Sequence, residues 1–294
     1  MLTAVIWGTA FAFQRAGMEQ IEPITFNAVR MVLSAVAVGL VAILLWLREK
    51  RKATVRSPEE AKAYNKNTLI GGICCGTFLS AASAVQQMGL VYTPAGKAGF
   101  ITAMYMLLVP IISFLVFKRK NSWLVWLAVL IGVCGMYLLC ITDGFSLTYG
   151  DSLVCVCAVL YSCHILSCDH FVQRGNPIRI SAIQFVTAAV LSGIVALICE
   201  SPTWDKIISA AIPILYCGIV SGGIGYTLQI VAQKFTDPTI ASLLMSLESV
   251  FAVIAGAILL SERMSSRELA GCIVMFIAII LVQIPLPRRK KRSE

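Results

Sequence analysis

Hydrophobic and polar positions alternate along this chain in long blocks. Ten apolar stretches stand out, at approximately 1–17, 24–47, 68–90, 95–117, 122–141, 150–170, 177–199, 208–231, 238–260 and 267–285. Each is close to the ~20 residues that an α-helix needs to cross about 30 Å of hydrocarbon. The first, at about 17 residues, is short for a span, so either the helix begins at the interface or the chain starts further upstream. Connections are short except for the charged segment "REKRKATVRSPEEAKAYNKN" (Arg48 to Asn67), read here as a polar loop. No room remains for a soluble domain, so any function must lie in or between the helices. The expected fold is an all-α membrane protein with ten transmembrane helices.

Composition strengthens that reading. The 294 residues are 58% hydrophobic and 13% charged, with a mean hydropathy of +0.84. Soluble domains average roughly 45–50% apolar and about 25% charged, and so few charges cannot cover so much apolar surface in water. The eleven cysteines fall within apolar segments, where free cysteine packs as a small hydrophobe. No disulfide framework or redox role is implied. The first run lacks a basic n-region and an A-x-A-type site in the right context, so it does not read as a cleaved signal.

The net charge of +9 is distributed unevenly. One set of connections, with the tail, carries eighteen Lys and Arg, and the opposite set carries three: Lys206, Arg263 and Arg267. Basic residues favour cytoplasmic loops, which places both termini in the cytoplasm of a multi-pass protein in the cell (plasma or inner) membrane. The charge is therefore a topology signal, and no nucleic-acid partner is needed to explain it. The tail "RRKKR" suits a stop-transfer anchor, or contact with anionic headgroups of the bilayer.

The halves resemble each other. "AVQQMGLVYTPAGKAGFITAMY" (84–105) aligns with "TLQIVAQKFTDPTIASLLMSLE" (227–248) at a shift of 143, pairing Gln86 with Gln229, Thr93 with Thr236 and Ala98 with Ala241. "FNAVRMVLS" (26–34) aligns with "ISAIQFVTA" (180–188) at a shift of 154, which also sets Trp7 opposite Tyr161. Five spans per repeat is an odd number, so the second repeat enters the membrane from the opposite side. The expected organisation is a first repeat over 1–141, a second over 142–287 and a basic tail over 288–294. Two inverted five-helix repeats are a recurring transporter architecture, with the solute bound between them.

"VIWGTAFAFQRAGME", "PITFNAVRMVLS", "QQMGLVYTPAGKAGFITAMYMLLVP" and "ASLLMSLESVFAVIAGAILLSERMSSRELAGCIVM" together resemble the EamA family of the drug/metabolite transporter superfamily. The likeness runs from about Ala4 to Leu281 and is most specific around Glu248 and Glu262. Ser249 departs from the pattern, since many relatives carry proline after the glutamate. The resemblance implies a ten-helix secondary transporter, often an exporter of small metabolites, and it leaves the solute open.

Polar residues within spans are functional candidates, because hydrocarbon makes them expensive. Glu248 lies ten residues into its span. There it suits a substrate amine or a coupling proton, since low dielectric favours the neutral carboxyl; a packing hydrogen bond or ion pair is the competing role. Lys97, near an outer edge, either snorkels to the headgroups or marks the mouth of a pathway, meeting a substrate anion or a carboxylate such as Glu22. Arg30, about six residues into its span, suits a bidentate carboxylate clamp, whereas its repeat equivalent is Gln184. Arg15, near the outer end of the first span, reads as interfacial.

Gln86 and Gln229 fit either substrate binding or interhelical hydrogen bonding. Trp7, Tyr105, Tyr161 and Tyr226 offer aromatic walls or plain packing. His164 is a candidate lining residue. With Cys168 it forms a two-ligand helical spacing in "CHILSCDH", which is too few for a metal site. "GICCG" (72–76) and "GIVSG" (218–222) fit the small-xxx-small pattern of close helix packing. No phosphate loop is present, because "VYTPAGKA" lacks the leading glycine and the hydroxyl after lysine, and no cofactor is implied. The expected activity is secondary export of a small amino-acid-like or amphipathic solute by alternating access, with proton coupling at Glu248 as an added feature. Homodimer formation stays open. The alternatives are a membrane-embedded enzyme, for which no converging acid–base set exists in the sequence, or a channel, for which no filter motif does.

Overall fold

The computed structural model describes residues 1–49, 57–119, 121–140, 148–259 and 265–283, all of them in helices or short connections. The first half contains α1 (Leu2–Met18), α2 (Pro23–Glu49), α3 (Pro58–Tyr92), α4 (Ala95–Ala103), α5 (Tyr105–Phe117) and α6 (Trp123–Cys140). The second contains α7 (Tyr149–Val172), α8 (Pro177–Cys199), the short α9 (Trp204–Ser209), α10 (Ala211–Leu215), a π-helical segment (Tyr216–Tyr226), α11 (Thr227–Gln233), α12 (Pro238–Met245), α13 (Glu248–Leu259) and α14 (Ser266–Gln283). Among the described residues, seven helical runs are long and apolar enough to cross a membrane: Pro23–Arg48, Pro58–Tyr92, Ala95–Phe117, Tyr149–Val172, Pro177–Cys199, Ala211–Gln233 and Pro238–Ala255. The other three expected spans coincide with α1, α6 and α14, which are helical and shorter.

Helix ends follow local chemistry. Proline occupies the first turn of α2, α3, α8 and α12, where its missing N–H leaves no bond unmade. Helix α3 starts earlier than the apolar pattern implies and turns residues 58–67, expected as loop, into helix. Its cause is a capping box in which the Ser57 hydroxyl accepts from Glu60 N–H and the Glu60 carboxylate accepts from Ser57 N–H. Residues 50–56 of the expected loop lie outside the described residues, as does the basic tail over 288–294. An equivalent box, Thr148 with Asp151, opens α7.

Helix α3 packs on α7 and α8, α2 on α8, α6 on α14, and α1 on α13. The glycine pairs act at these seams. A Cβ on Gly76 would stand 2.5 Å from the Gln184 carbonyl, so only glycine lets α3 approach α8 this closely. Gly218 of the second pair lies against Leu33 of α2. Valines, leucines and isoleucines on the outer faces of α2 and α8 are exposed, as a lipid-facing surface requires: Val36, Leu40, Ile43, Val190, Ile194 and Leu197.

The span Ala95–Phe117 is interrupted at Met104, and Pro238–Ala255 at Ser246–Leu247. Met104 and Leu247 are related by the same shift of 143 that aligns the two segments in sequence. At the second break the Ser246 hydroxyl donates to the Leu243 carbonyl (2.7 Å) and Ser249 donates to the Ser246 carbonyl (2.8 Å). Serine hydroxyls thus satisfy backbone groups that the interrupted ladder leaves open.

Candidate functional site: a buried polar cavity

Helix α1 sends Trp7, Phe11 and Gln14 inward from one face, at spacings of four and three. They meet Arg30 and Ser34 of α2, Gln86 of α3, Thr102 of α4, and Tyr161 and His164 of α7. The first residue after each helix break completes the ring: Tyr105 opens α5 and Glu248 opens α13. Together these side chains enclose a cavity of about 40 Å³, room for a few water molecules.

One wall is a hydrogen-bonded chain that crosses between the halves. Tyr226 Oη donates to Tyr161 Oη (3.1 Å), Tyr161 Oη donates to Gln86 Oε1 (3.3 Å), and Gln86 Nε2 donates to Thr102 Oγ1 (3.1 Å). Trp7 stacks obliquely on Tyr226 with ring centroids 4.5 Å apart, and its indole N–H donates to the Ser221 carbonyl (3.2 Å). That carbonyl belongs to the π-helical segment, whose glycines let Trp7 approach; a Cβ on Gly225 would sit 2.6 Å from Trp7 Nε1. π-Helical turns recur at functional sites, and this one supplies Cys217, Ser221, Gly222 and Tyr226 to the cavity.

Arg30 forms a second wall. Its Nε and Nη2 both donate to Asn27 Oδ1 (3.0 and 2.8 Å), and Nη1 donates to Gln14 Oε1 (2.8 Å). Two of its five N–H groups are left beyond those bonds. Arg30 is 6% exposed, and no carboxylate of the described residues forms an ion pair with it. Glu248 is also buried, its carboxyl interacting with the Tyr105 hydroxyl, while Gln229 Oε1 has no hydrogen-bond partner among the described residues. Arg30 and Glu248 thus share one cavity without pairing with each other.

Of the sequence candidates, Trp7, Arg30, Gln86, Tyr105, His164, Tyr226, Gln229 and Glu248 line the cavity. Gln184 stands behind it, its Oε1 3.0 Å from His164 Nε2, which also lies 3.4 Å from Cys168 Sγ. Lys97 lies outside the lining. It pairs with Asp151 at 2.7 Å, and Asp151 also accepts from Thr93 Oγ1 (3.0 Å) and Thr148 N–H (2.8 Å). Glu22, considered as a partner for Lys97, instead pairs with Lys206, whose hydrogen bond holds the Glu22 carboxyl below its usual range. Arg15 donates to the Thr93 carbonyl at 3.3 Å. Sequence reasoning missed Gln14, Ser34, Thr102 and Ser221. Only Gln14 carried a usable signal, an amide on the Trp7 face of an apolar helix.

Membrane-length apolar helices around a buried chamber with polar side chains in its lining define a multi-pass helical membrane protein. Residues 1–141 and 148–284 match the EamA-like transporter family, and the chain belongs to it. An "Uncharacterized transporter" of Archaeoglobus fulgidus is 26% identical over 283 residues, covering 96% of this chain and 84% of that protein. The "Uncharacterized transporter YoaV" of Bacillus subtilis is 20% identical over 292 residues, covering 97% and 96%. A solved crystal structure matches the fold with a TM-score of 0.74 at 18% identity, over 96% of this chain and 94% of its own. The protein is a membrane transporter.

Proposed function

We propose that this protein is a secondary-active exporter of small, amino-acid-like or amphipathic metabolites. In this reading ten spans form two inverted five-helix repeats, with both termini cytoplasmic, and the repeats rock about the buried cavity to expose it alternately. The observation that carries the proposal is the unpaired coexistence of Arg30 and Glu248 in one enclosed chamber. A carboxylate fits the spare N–H groups of Arg30. An ammonium group, or a proton that replaces it, fits Glu248, flanked in the lining by Tyr105 and Gln229.

The small size of the chamber supports alternating access. At about 40 Å³ it is far below the roughly 300–1,000 Å³ of a small-molecule site, so a metabolite enters only when packed helices part. The matched breaks at Met104 and Ser246–Leu247 supply pivots beside Tyr105 and Glu248. The two matched family stretches support a repeat organisation.

The test uses proteoliposomes carrying a pH gradient and a panel of amino acids with their decarboxylated amines. Wild type is expected to move at least one zwitterion faster with the gradient than without it, chemically unchanged. Glu248→Gln is expected to abolish the gradient-driven component. If the variant retains it in full, Glu248 has no coupling role.

A further inference from the structure

Asn27 Oδ1 accepts from both Nε and Nη2 of Arg30, and Nδ2 of the same amide donates to Ser192 Oγ (3.0 Å). Ser192 Oγ lies 3.0 Å from Ser80 Oγ, so one of these hydroxyls donates to the other. This run of bonds begins on α2, crosses to α8 in the second half of the chain and ends on α3. All four side chains are buried, yet of the four only Arg30 lines the cavity.

Local sequence accounts for the arrangement. Asn27 and Arg30 stand three apart on α2 and so share a face. Gly76, which lets α3 approach α8, precedes Ser80 by one turn, and serine adds a hydroxyl with little bulk. At the shift of 154, Asn27 and Arg30 correspond to Ser181 and Gln184. The half that lacks the arginine lacks the amide as well.

An amide presents an acceptor at one end and donors at the other, whereas a guanidinium only donates. Turned end for end, Asn27 would aim N–H groups at Arg30, and both bonds between them would be lost. Serving Arg30 with Oδ1 leaves Nδ2 buried, where a donor without an acceptor is costly. Ser192 supplies that acceptor; without it, Nδ2 gains by rotating toward another oxygen and takes Oδ1 off the arginine. We infer that Ser192 is a positioning residue for substrate selection: through Asn27 it fixes the direction of the Arg30 fork, and with it the preference for solutes that carry a carboxylate. The role rests on the carboxylate binding proposed for Arg30. It adds that the arginine of one half is aimed by a hydroxyl of the other, from a position outside the cavity lining.

The test has an arm without solute and an arm with it, both on the full chain. Thermal unfolding of Ser192→Ala, Arg30→Met and the double variant closes a double-mutant cycle. Ser192→Ala is expected to lower the unfolding temperature less in the Arg30→Met background than in wild type, because no guanidinium remains to be aimed. Equal losses in the two backgrounds overturn the proposal. In proteoliposome counterflow, alanine, phenylalanine and lysine are compared with ethylamine, phenethylamine and cadaverine. Ser192→Ala is expected to reduce the preference for amino acid over amine about fivefold, the net worth of one hydrogen bond, through KM for the amino acid with little change in maximal rate. Asn27→Asp gives Arg30 a countercharge of its own; it is expected to remove the preference while raising the unfolding temperature, and a preserved preference overturns the proposal. Ser162→Ala, at a buried serine that bonds its own helix at the Ala158 carbonyl (2.7 Å), is expected to leave the preference unchanged, and an effect equal to that of Ser192→Ala reduces the latter to packing. A wild type without the preference removes the carboxylate role of Arg30 and the selection role of Ser192 together. A wild-type preference that Ser192→Ala leaves intact overturns the role of Ser192 alone.

Discussion

Arg30 is the residue on which the chemistry of the cavity turns. Burying a guanidinium without an anionic partner costs several kcal/mol, and here the neutral oxygens of Asn27 and Gln14, with the Phe26 ring 5.9 Å from the guanidinium carbon, offset part of it. A carboxylate in the cavity would supply the missing countercharge. Arg30→Lys keeps the charge but loses the planar fork. It is expected to weaken apparent affinity for a carboxylate-bearing solute about tenfold, or ~1.4 kcal/mol, with little effect on the decarboxylated amine. Counterflow at graded solute concentration measures both. Arg30 was legible in the sequence because an arginine at that depth is conspicuous. Asn27, which aims it together with Gln14, was not, since a neutral amide in an apolar helix does not disclose whether it faces lipid, protein or cavity.

At the scale of elements, the close seams and the ion pairs decide how the helices are held. A Cβ on Gly8 would stand 2.5 Å from Phe251 Cβ and 2.6 Å from the Glu248 carbonyl oxygen, pressing α1 against the turn that presents Glu248. Gly8→Ala is expected to destabilise by about 1–3 kcal/mol through overpacking and to lower transport in step, read by thermal unfolding and by flux. The ion pair of Lys97 with Asp151 joins the start of α4 to the start of α7, and that of Arg119 with Asp169 joins the region after α5 to the far part of α7. One broken span is thus tied to α7 on both sides of its break. Lys97→Met strands a buried carboxylate and is expected to lower the unfolding temperature clearly more than Lys97→Arg. Transport lost at wild-type stability would instead put Lys97 in contact with solute. The sequence offered Lys97 two roles, snorkelling or pathway; Asp151 lies 54 positions away, and no local pattern joins them.

For the whole molecule, the proposed inverted repeats require residues 48–67 and the chain beyond Leu286 to share one side of the membrane. Peptide tags inserted at each position are expected to react with impermeant reagents from the same face, in intact cells and in inverted vesicles. Tags on opposite faces would remove the antiparallel arrangement and alternating access with it. The scaffold itself was largely visible beforehand: the apolar blocks correspond to helical segments, and the shift of 143 foretells where the second interruption falls once the first is known. The π-helical segment was not visible. "YCGIVSGGIGY" has the composition of any glycine-rich span, and the close approach of Trp7 and α2 to it is a tertiary feature.

By itself, the sequence determined that this is a helical membrane protein of the EamA-like family and pointed to some of its deeply buried polar side chains, Arg30, Gln86 and Glu248 among them. Hydropathy acts locally, because each stretch of backbone must satisfy its own hydrogen bonds in lipid. Which of those polar groups face one another was decided only by the tertiary structure. It joined Lys97 to Asp151, gathered Arg30 with Gln14 and Asn27, and left Arg30 and Glu248 unpaired in one chamber. The reason is that helix rotation and close approach depend on packing against distant neighbours, which no single segment encodes.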